Sequence, residues 1–340
     1  MKKKFEITDL VIDADQTLWD WVAMHAPGIE AMANLLSRRL EIPIDEIRAS
    51  MGRVYKRVAA MDFDGLIQNM DVVIDRVVLR TMQGYQDPNV GAYRVFLESM
   101  SLLKAVEEEY QAVRKQSLKL YPNVREVFEA LHTRVKIHVL TDAPADKAVS
   151  RIKRLELEKY VASLFGQPNF KLIPELLNDN TEASKYIQHL QHQIGDHAPE
   201  HQEDERKRRG FYQVPFRKVE LYDQRKPNVD LARLLSKTRE EVSRCVGVWG
   251  DSPMSDMGLA ANNDCVGFFA TYGKPSQEHI DILNRFGNPK GVNREMDSDD
   301  PKISAIREKL GDRLIKIQDP IEILDHLGMA RPEVDDNKNV

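Results

Sequence analysis

Cysteine is almost absent from this chain. The two present, Cys245 and Cys265, fall in apolar runs, which makes them small core residues and excludes a disulfide framework. A basic excess is absent too. Net charge is −5, so no global positive field advertises nucleic acid. No apolar run is long enough to span a bilayer. The start, Met1-Lys2-Lys3-Lys4, lacks the apolar segment that follows it in a signal peptide. There is no internal repeat. Together these absences lead to the expectation of a cytoplasmic protein with neither membrane nor nucleic acid as partner.

What is present is an α/β pattern. At 340 residues, with 42% hydrophobic and 30% charged residues, the chain has enough material for a large core and more than one domain. Short apolar runs recur at Leu10–Ile12, Val135–Leu140, Val219–Leu221, Cys245–Trp249, Cys265–Phe269 and Leu314–Ile317. Helical patterns lie between them, which implies a parallel sheet covered on both faces. The first two runs are more than a hundred residues apart. The stretch between them reads as helix at Gly28–Leu40, Asp45–Ala60, Gly65–Leu79 and Val90–Arg114. So long a connection is an inserted domain, not a loop. The expected division is therefore a Rossmann-like α/β core, 1–19 and 118–340, with a helical cap at 20–117. Tyr121 to Asn123 lead into a further helix, Arg125–Leu131. A charged insertion at about 178–217 contains His189, His192, His197, His201 and the basic run Arg206 to Arg209. Its histidines lack ligand spacing, and an acidic run precedes its arginines, so it reads as a solvated segment. The segment 287–301 reads as a surface loop and the tail from Arg331 as frayed.

The most informative segment is Leu10-Val11-Ile12-Asp13-Ala14-Asp15-Gln16-Thr17. An apolar strand ends in two aspartates one residue apart, so its closing turn aims both carboxylates just beyond the sheet edge where α/β proteins bind ligands. Paired carboxylates repel, and they are tolerated where a cation lies between them or one is protonated. Three further segments share this form. Leu140 runs into Thr141, Lys226-Pro227 precedes a helix, and Trp249-Gly250 runs into Asp251 with Asp256 five residues on. Met51, Met61, Met70 and Met82 read as core, and Asp142 reads as a helix cap. Trp19 and Trp21 either line the site's entrance or anchor the cap.

These four motifs, in this order and each beside an apolar run, resemble the haloacid dehalogenase superfamily of hydrolases, and the likeness covers nearly the whole chain. The resemblance implies a Mg²⁺-dependent phosphatase acting on a small phosphorylated metabolite. It implies Asp13 as nucleophile, Asp15 as general acid and then base, and Thr141 and Lys226 as phosphate-binding and charge-balancing groups. Asp13, the backbone carbonyl of Asp15 and Asp251 would hold the metal, with Asp256 orienting a metal-bound water or holding Lys226. Hard oxygen donors and a substrate phosphate suit Mg²⁺. Gln16 departs from the family pattern, where Gly or an acidic residue is common, and the departure falls on the flap beside the site. A dehalogenase is disfavoured because it has no use for Asp15. A phosphotransferase or mutase on the same scaffold, and a binding protein that keeps the fold without turnover, remain as alternatives.

Overall fold

Seven parallel strands form one sheet in the order β4-β3-β2-β1-β5-β6-β7 in a computed structural model of the chain. The structure describes residues 5–58, 88–167, 218–221, 226–286 and 295–332. The expected helix at 65–79, Met61, Met70, Met82, the insertion at 178–217 and most of the expected loop at 287–301 lie outside these residues.

The strands are β1 (Asp9–Ile12), β2 (Lys136–Pro144), β3 (Val161–Gln167), β4 (Lys218–Leu221), β5 (Val246–Gly250), β6 (Val266–Ala270) and β7 (Leu314–Ile317). Chain order reverses at β1, which lies between β2 and β5. That reversal opens a crevice at the C-terminal edge of β1. Alternation on β1 shows how the sheet is covered. Leu10 and Ile12 join one buried cluster and Val11 joins the other. β3 was not foreseen. Its sequence, Val-Ala-Ser-Leu-Phe-Gly-Gln, breaks the apolar run with small and polar residues. It becomes a strand by pairing with both β2 and β4.

The covering helices follow the apolar stripe. Helix α4 (Val124–Leu131) buries Val124, Val127, Phe128 and Leu131, the i, i+3, i+4, i+7 positions of one face. It shares a cluster with helix α5 (Ala145–Arg154) and helix α11 (Glu322–His326). Helices α6 (Leu231–Leu235), α7 (Arg239–Cys245), α8 (Gly258–Asn262) and α10 (Pro301–Leu310) cover the opposite face. Cys265 is buried there as a core residue, as expected, and Cys245 is half-buried.

After β1 the chain enters α1 (Trp21–Leu40), α2 (Ile44–Val58) and α3 (Pro88–Ser117). Helix α1 begins seven residues before the stretch expected from sequence, because Asp20 caps it by accepting from the Ala23 amide at 2.7 Å. Ile29, Met32, Leu36, Ile47, Met51 and Tyr110 form a separate apolar cluster in these helices. Helix α9 (Gln277–Arg285), placed with the sheet in the sequence analysis, contributes Ile282 and Leu283 to this helical cluster. Glu30 pairs with Arg48 of α2 and lies 3.9 Å from Arg285 of α9. Trp21 packs against both this cluster and the sheet cluster, whereas Trp19 is fully buried in the sheet cluster. Among the described residues no helix is long and apolar enough to cross a membrane.

A buried polar knot lies at the start of β1. Asp9 accepts from Thr8 Oγ1 at 2.6 Å, faces His138 Nε2 at 3.1 Å and pairs with Lys237 Nζ at 3.0 Å. Burial alone would raise its carboxyl, but His138, Thr8 and Lys237 outweigh burial and hold it well below the usual carboxylate range. A depressed carboxyl stabilises the fold above its unfolded pKa and loses that contribution as pH falls. Asp9→Asn is therefore expected to cost about 3 kcal/mol at neutral pH. The gap to the wild type should begin to narrow as pH drops below about 4 and shrink further as pH falls toward the depressed folded pKa. Urea denaturation at pH 7 and pH 3 measures the trend, and a gap as large at pH 3 as at pH 7 contradicts the assignment.

Candidate active site

Two strand ends converge at the crevice. Ile12 of β1 lies opposite Val139 of β2 on one side and Trp249 of β5 on the other. Each neighbour therefore brings Thr141 or Asp251 level with the chain just past Asp13. The Asp13 amide continues the ladder by donating to the Trp249 carbonyl at 2.8 Å.

Beyond β5 a single π turn, Pro253–Met257, follows Ser252, whose side chain accepts from the Ser255 amide. Single π turns widen a helix and re-aim one side chain, and they recur at functional sites. Here the turn directs Asp256 back toward the sheet, where its Oδ2 accepts from the Ser252 amide at 3.0 Å. Gly250 is required by this return. A Cβ there would lie 2.3 Å from the Asp256 carboxyl carbon.

Lys226 lies at the centre. Its Nζ is 2.6 Å from Asp13 Oδ1 and 2.6 Å from Asp256 Oδ1. Asp13, Asp251 and Asp256 each offer an oxygen within 4.8 Å of the others. Asp251 is also reached by Thr17 Oγ1 at 3.4 Å. Burial raises the Asp13 carboxyl first, Lys226 opposes it, and Asp256 and Asp251 add to the rise, leaving it well above the usual range. Burial and then Asp256 push Asp251 up to about 8 against the opposing effect of Lys226 and Thr17. Burial would lower the Lys226 ammonium, but Asp13, Asp256 and Asp142 hold it well above the usual lysine range. Three carboxylates against one ammonium leave a site whose electrostatics favour a further cation.

Lys226, Asp13, Asp251 and Asp256 are thus brought together. Of the two roles weighed for Asp256, its geometry is that of holding Lys226. Thr141 is buried and its Oγ1 accepts from the Ala143 amide at 3.1 Å. It lies inside β2, not at its end, because the strand runs on to Pro144 through a register shift against β3. Asp142, expected to cap a helix, sits three residues before α5 and its charge acts on Lys226.

The Asp15 side chain turns away from this group. It accepts from Trp19 Nε1 at 2.7 Å and pairs with Arg151 at 2.8 and 3.2 Å. Arg151 belongs to α5, ten residues past Thr141, and no motif marks it. Gln16 is also more specific than it looked. Its backbone is left-handed at φ 62°, its Nε2 donates to the Gly273 carbonyl at 3.0 Å, and its Oε1 accepts from the Val22 amide at 3.1 Å. Only an amide both donates and accepts there; a carboxylate or glycine does not. Tyr272 adds a second tie by donating to the Thr17 carbonyl at 2.8 Å. The turn after β1 is thereby fastened to the loop after β6 and to the start of α1.

No protein-family model matches the chain. A phosphorylated carbohydrates phosphatase from Thermotoga maritima is 39% identical over 77 residues, which are 22% of this chain and 36% of that protein. The matched stretch is thus well under half of that relative's length. A HAD phosphatase from Thermococcus onnurineus is 14% identical, with 96% of this chain and 100% of that chain covered and a TM-score of 0.45. A putative beta-phosphoglucomutase from Thermotoga maritima is 16% identical over 95% and 99%, with a TM-score of 0.40. The putative HAD-hydrolase YfnB from Bacillus subtilis, bound to magnesium, is 12% identical over 95% and 100%, with a TM-score of 0.37. The chain is thus similar to these hydrolases, and its four motif segments lie about the switch point of a seven-stranded parallel sheet.

Proposed function

We propose that the protein is a Mg²⁺-dependent phosphohydrolase that cleaves a small phosphomonoester through an aspartyl-phosphate on Asp13. The observation that carries this reading is the three-carboxylate group around Lys226 at the C-terminal edge of β1. The donor set fits magnesium, since Asp13, Asp251 and Asp256 offer hard carboxylate oxygens within 4.8 Å of one another. Asp13 and Asp251, with the backbone carbonyl of Asp15, would hold the ion. When bound, it would offset the negative charge of the phosphoryl group and of the carboxylates around it.

The remaining chemistry belongs to side chains. An Asp13 carboxylate oxygen attacks phosphorus, forming one P–O bond as the bond to the leaving oxygen breaks. Asp15 gives its proton to that leaving oxygen. It then takes a proton from the water that attacks the phosphoryl group, which releases phosphate and regenerates Asp13. Lys226 supports both steps by neutralising the crowded anions, and Asp256 keeps its ammonium in place. Thr141 offers its hydroxyl to a phosphoryl oxygen.

Hydrolysis of para-nitrophenyl phosphate with Mg²⁺ and with EDTA tests this reading. Turnover with Mg²⁺ that disappears in EDTA is expected, together with a rise in melting temperature when the metal is added. Turnover indifferent to EDTA contradicts the metal assignment. No turnover on that substrate or across a panel of phosphorylated metabolites contradicts the activity.

A further inference from the structure

The surroundings of Asp15 carry a consequence for the substrate. Asp15 meets the guanidinium of Arg151, whose side chain is only 10% exposed against 24% for Asp15. Asp15 is thus the more exposed member of a largely buried pair. On its other side, Arg151 Nη2 lies 3.4 Å from His25 Nε2, and Arg114 Nη2 of α3 lies 3.4 Å from the same nitrogen. Burial, then Arg114 and Arg151, hold the His25 imidazole well below its usual range, so it is neutral there. The guanidiniums donate to Nε2, which leaves the proton on Nδ1, 2.8 Å from the Tyr110 hydroxyl. A neutral acceptor solvates Arg151 without cancelling its charge. Arg151 Nε is buried with no partner, and among the described residues Asp15 is the carboxylate that pairs with this side chain.

Asp15 cannot keep this place while acting as the acid. To reach a leaving oxygen it must be directed at the ester, and in that position it no longer pairs with Arg151. A buried guanidinium stripped of its counter-ion is costly. The cost disappears if the incoming molecule brings an anion. We infer that the substrate carries a second anionic group, a carboxylate or a second phosphate on its leaving-group portion, which takes the place of Asp15 on Arg151 and frees Asp15 for proton transfer. This inference rests on the phosphohydrolase reading above. The planar fork of arginine accepts either anion in a two-point contact. Substrate selection and acid positioning would then be one event, because a neutral leaving group leaves Asp15 held by Arg151.

Steady-state kinetics on four phosphomonoesters tests this. Phosphoglycolate and glucose 1,6-bisphosphate carry the second anion; glycerol 3-phosphate and glucose 6-phosphate do not. At least one doubly anionic compound is expected to exceed both neutral-tailed ones in kcat/KM by about 30-fold or more. That preference should collapse toward one in Arg151→Gln and return in part in Arg151→Lys, with much of the change in kcat, since Asp15 is released only by the anion. The comparison among substrates uses the wild type alone, so a poorly folding variant does not remove the test. Turnover of all four compounds without preference overturns the inference and leaves the phosphohydrolase reading intact. A preference that survives Arg151→Gln unchanged overturns the assignment to Arg151. Absence of turnover on every phosphoester overturns both readings.

Discussion

Asp13→Asn is expected to lower Mg²⁺-dependent phosphatase turnover by at least about a thousandfold while leaving the fold intact. The asparagine oxygen still accepts from Lys226, which approaches Asp13 Oδ1 at 2.6 Å, so the local geometry survives. The amide is not a nucleophile, and no aspartyl-phosphate forms. The substitution also removes one of three mutually repelling carboxylates, whose crowding raises the Asp13 carboxyl well above its usual range. Thermal stability in EDTA should therefore hold or rise even as activity vanishes. Trapping of labelled phosphate on the wild type but not on the variant would locate the covalent step. A variant that retains more than about a tenth of wild-type turnover would falsify Asp13 as nucleophile.

The second large effect is on stability. Lys226→Met removes the cation that the structure places between Asp13 and Asp256, both 2.6 Å from its Nζ. Lys226 and Asp256 are buried, so their charges gain little from water. Breaking such a group from one side leaves uncompensated charge and costs about 3–5 kcal/mol. The sign with pH follows from the direction of the shifts. Carboxyls raised in the folded state favour folding when protonated, and that contribution is lost as pH rises through the folded pKa. Asp251 is pushed up to about 8 even with Lys226 present. In EDTA the deficit of the variant should grow from about pH 4 toward pH 8. Mg²⁺ should restore more stability to the variant than it adds to the wild type, because it supplies charge that the variant lacks. At a concentration one hundred times the dissociation constant the gain is about 2.7 kcal/mol. Melting curves across pH, with Mg²⁺ and with EDTA, measure both trends. A variant as stable as the wild type in EDTA at pH 8 would show that the ammonium does not balance this group.

The strands were legible where burial on both faces demanded an uninterrupted apolar run. β1, β5 and β7 differ from their expected spans by a residue or less at each end. β3 was not legible, because its neighbours β2 and β4 create the slot that makes Val161–Gln167 extended. Helix α9 read as part of the sheet domain because nothing in Gln277–Arg285 names the surface it covers; its Ile282 and Leu283 join the cluster of α1 and α2 only after the chain has folded. Asp13 and Asp251 were legible because each directly follows an apolar run, Lys226 because it precedes a proline and a helix, and Asp256 through its spacing from Asp251.

By itself, the sequence determined the kind of sheet and which strand ends would meet, since hydrophobic period and motif spacing are local and survive without knowledge of packing. The tertiary structure alone decided where Asp15 points. Arg151, His25 and Arg114 come from three helices, with 126 residues separating His25 from Arg151, and a buried cation gathers partners by proximity in space, which no spacing along the chain encodes.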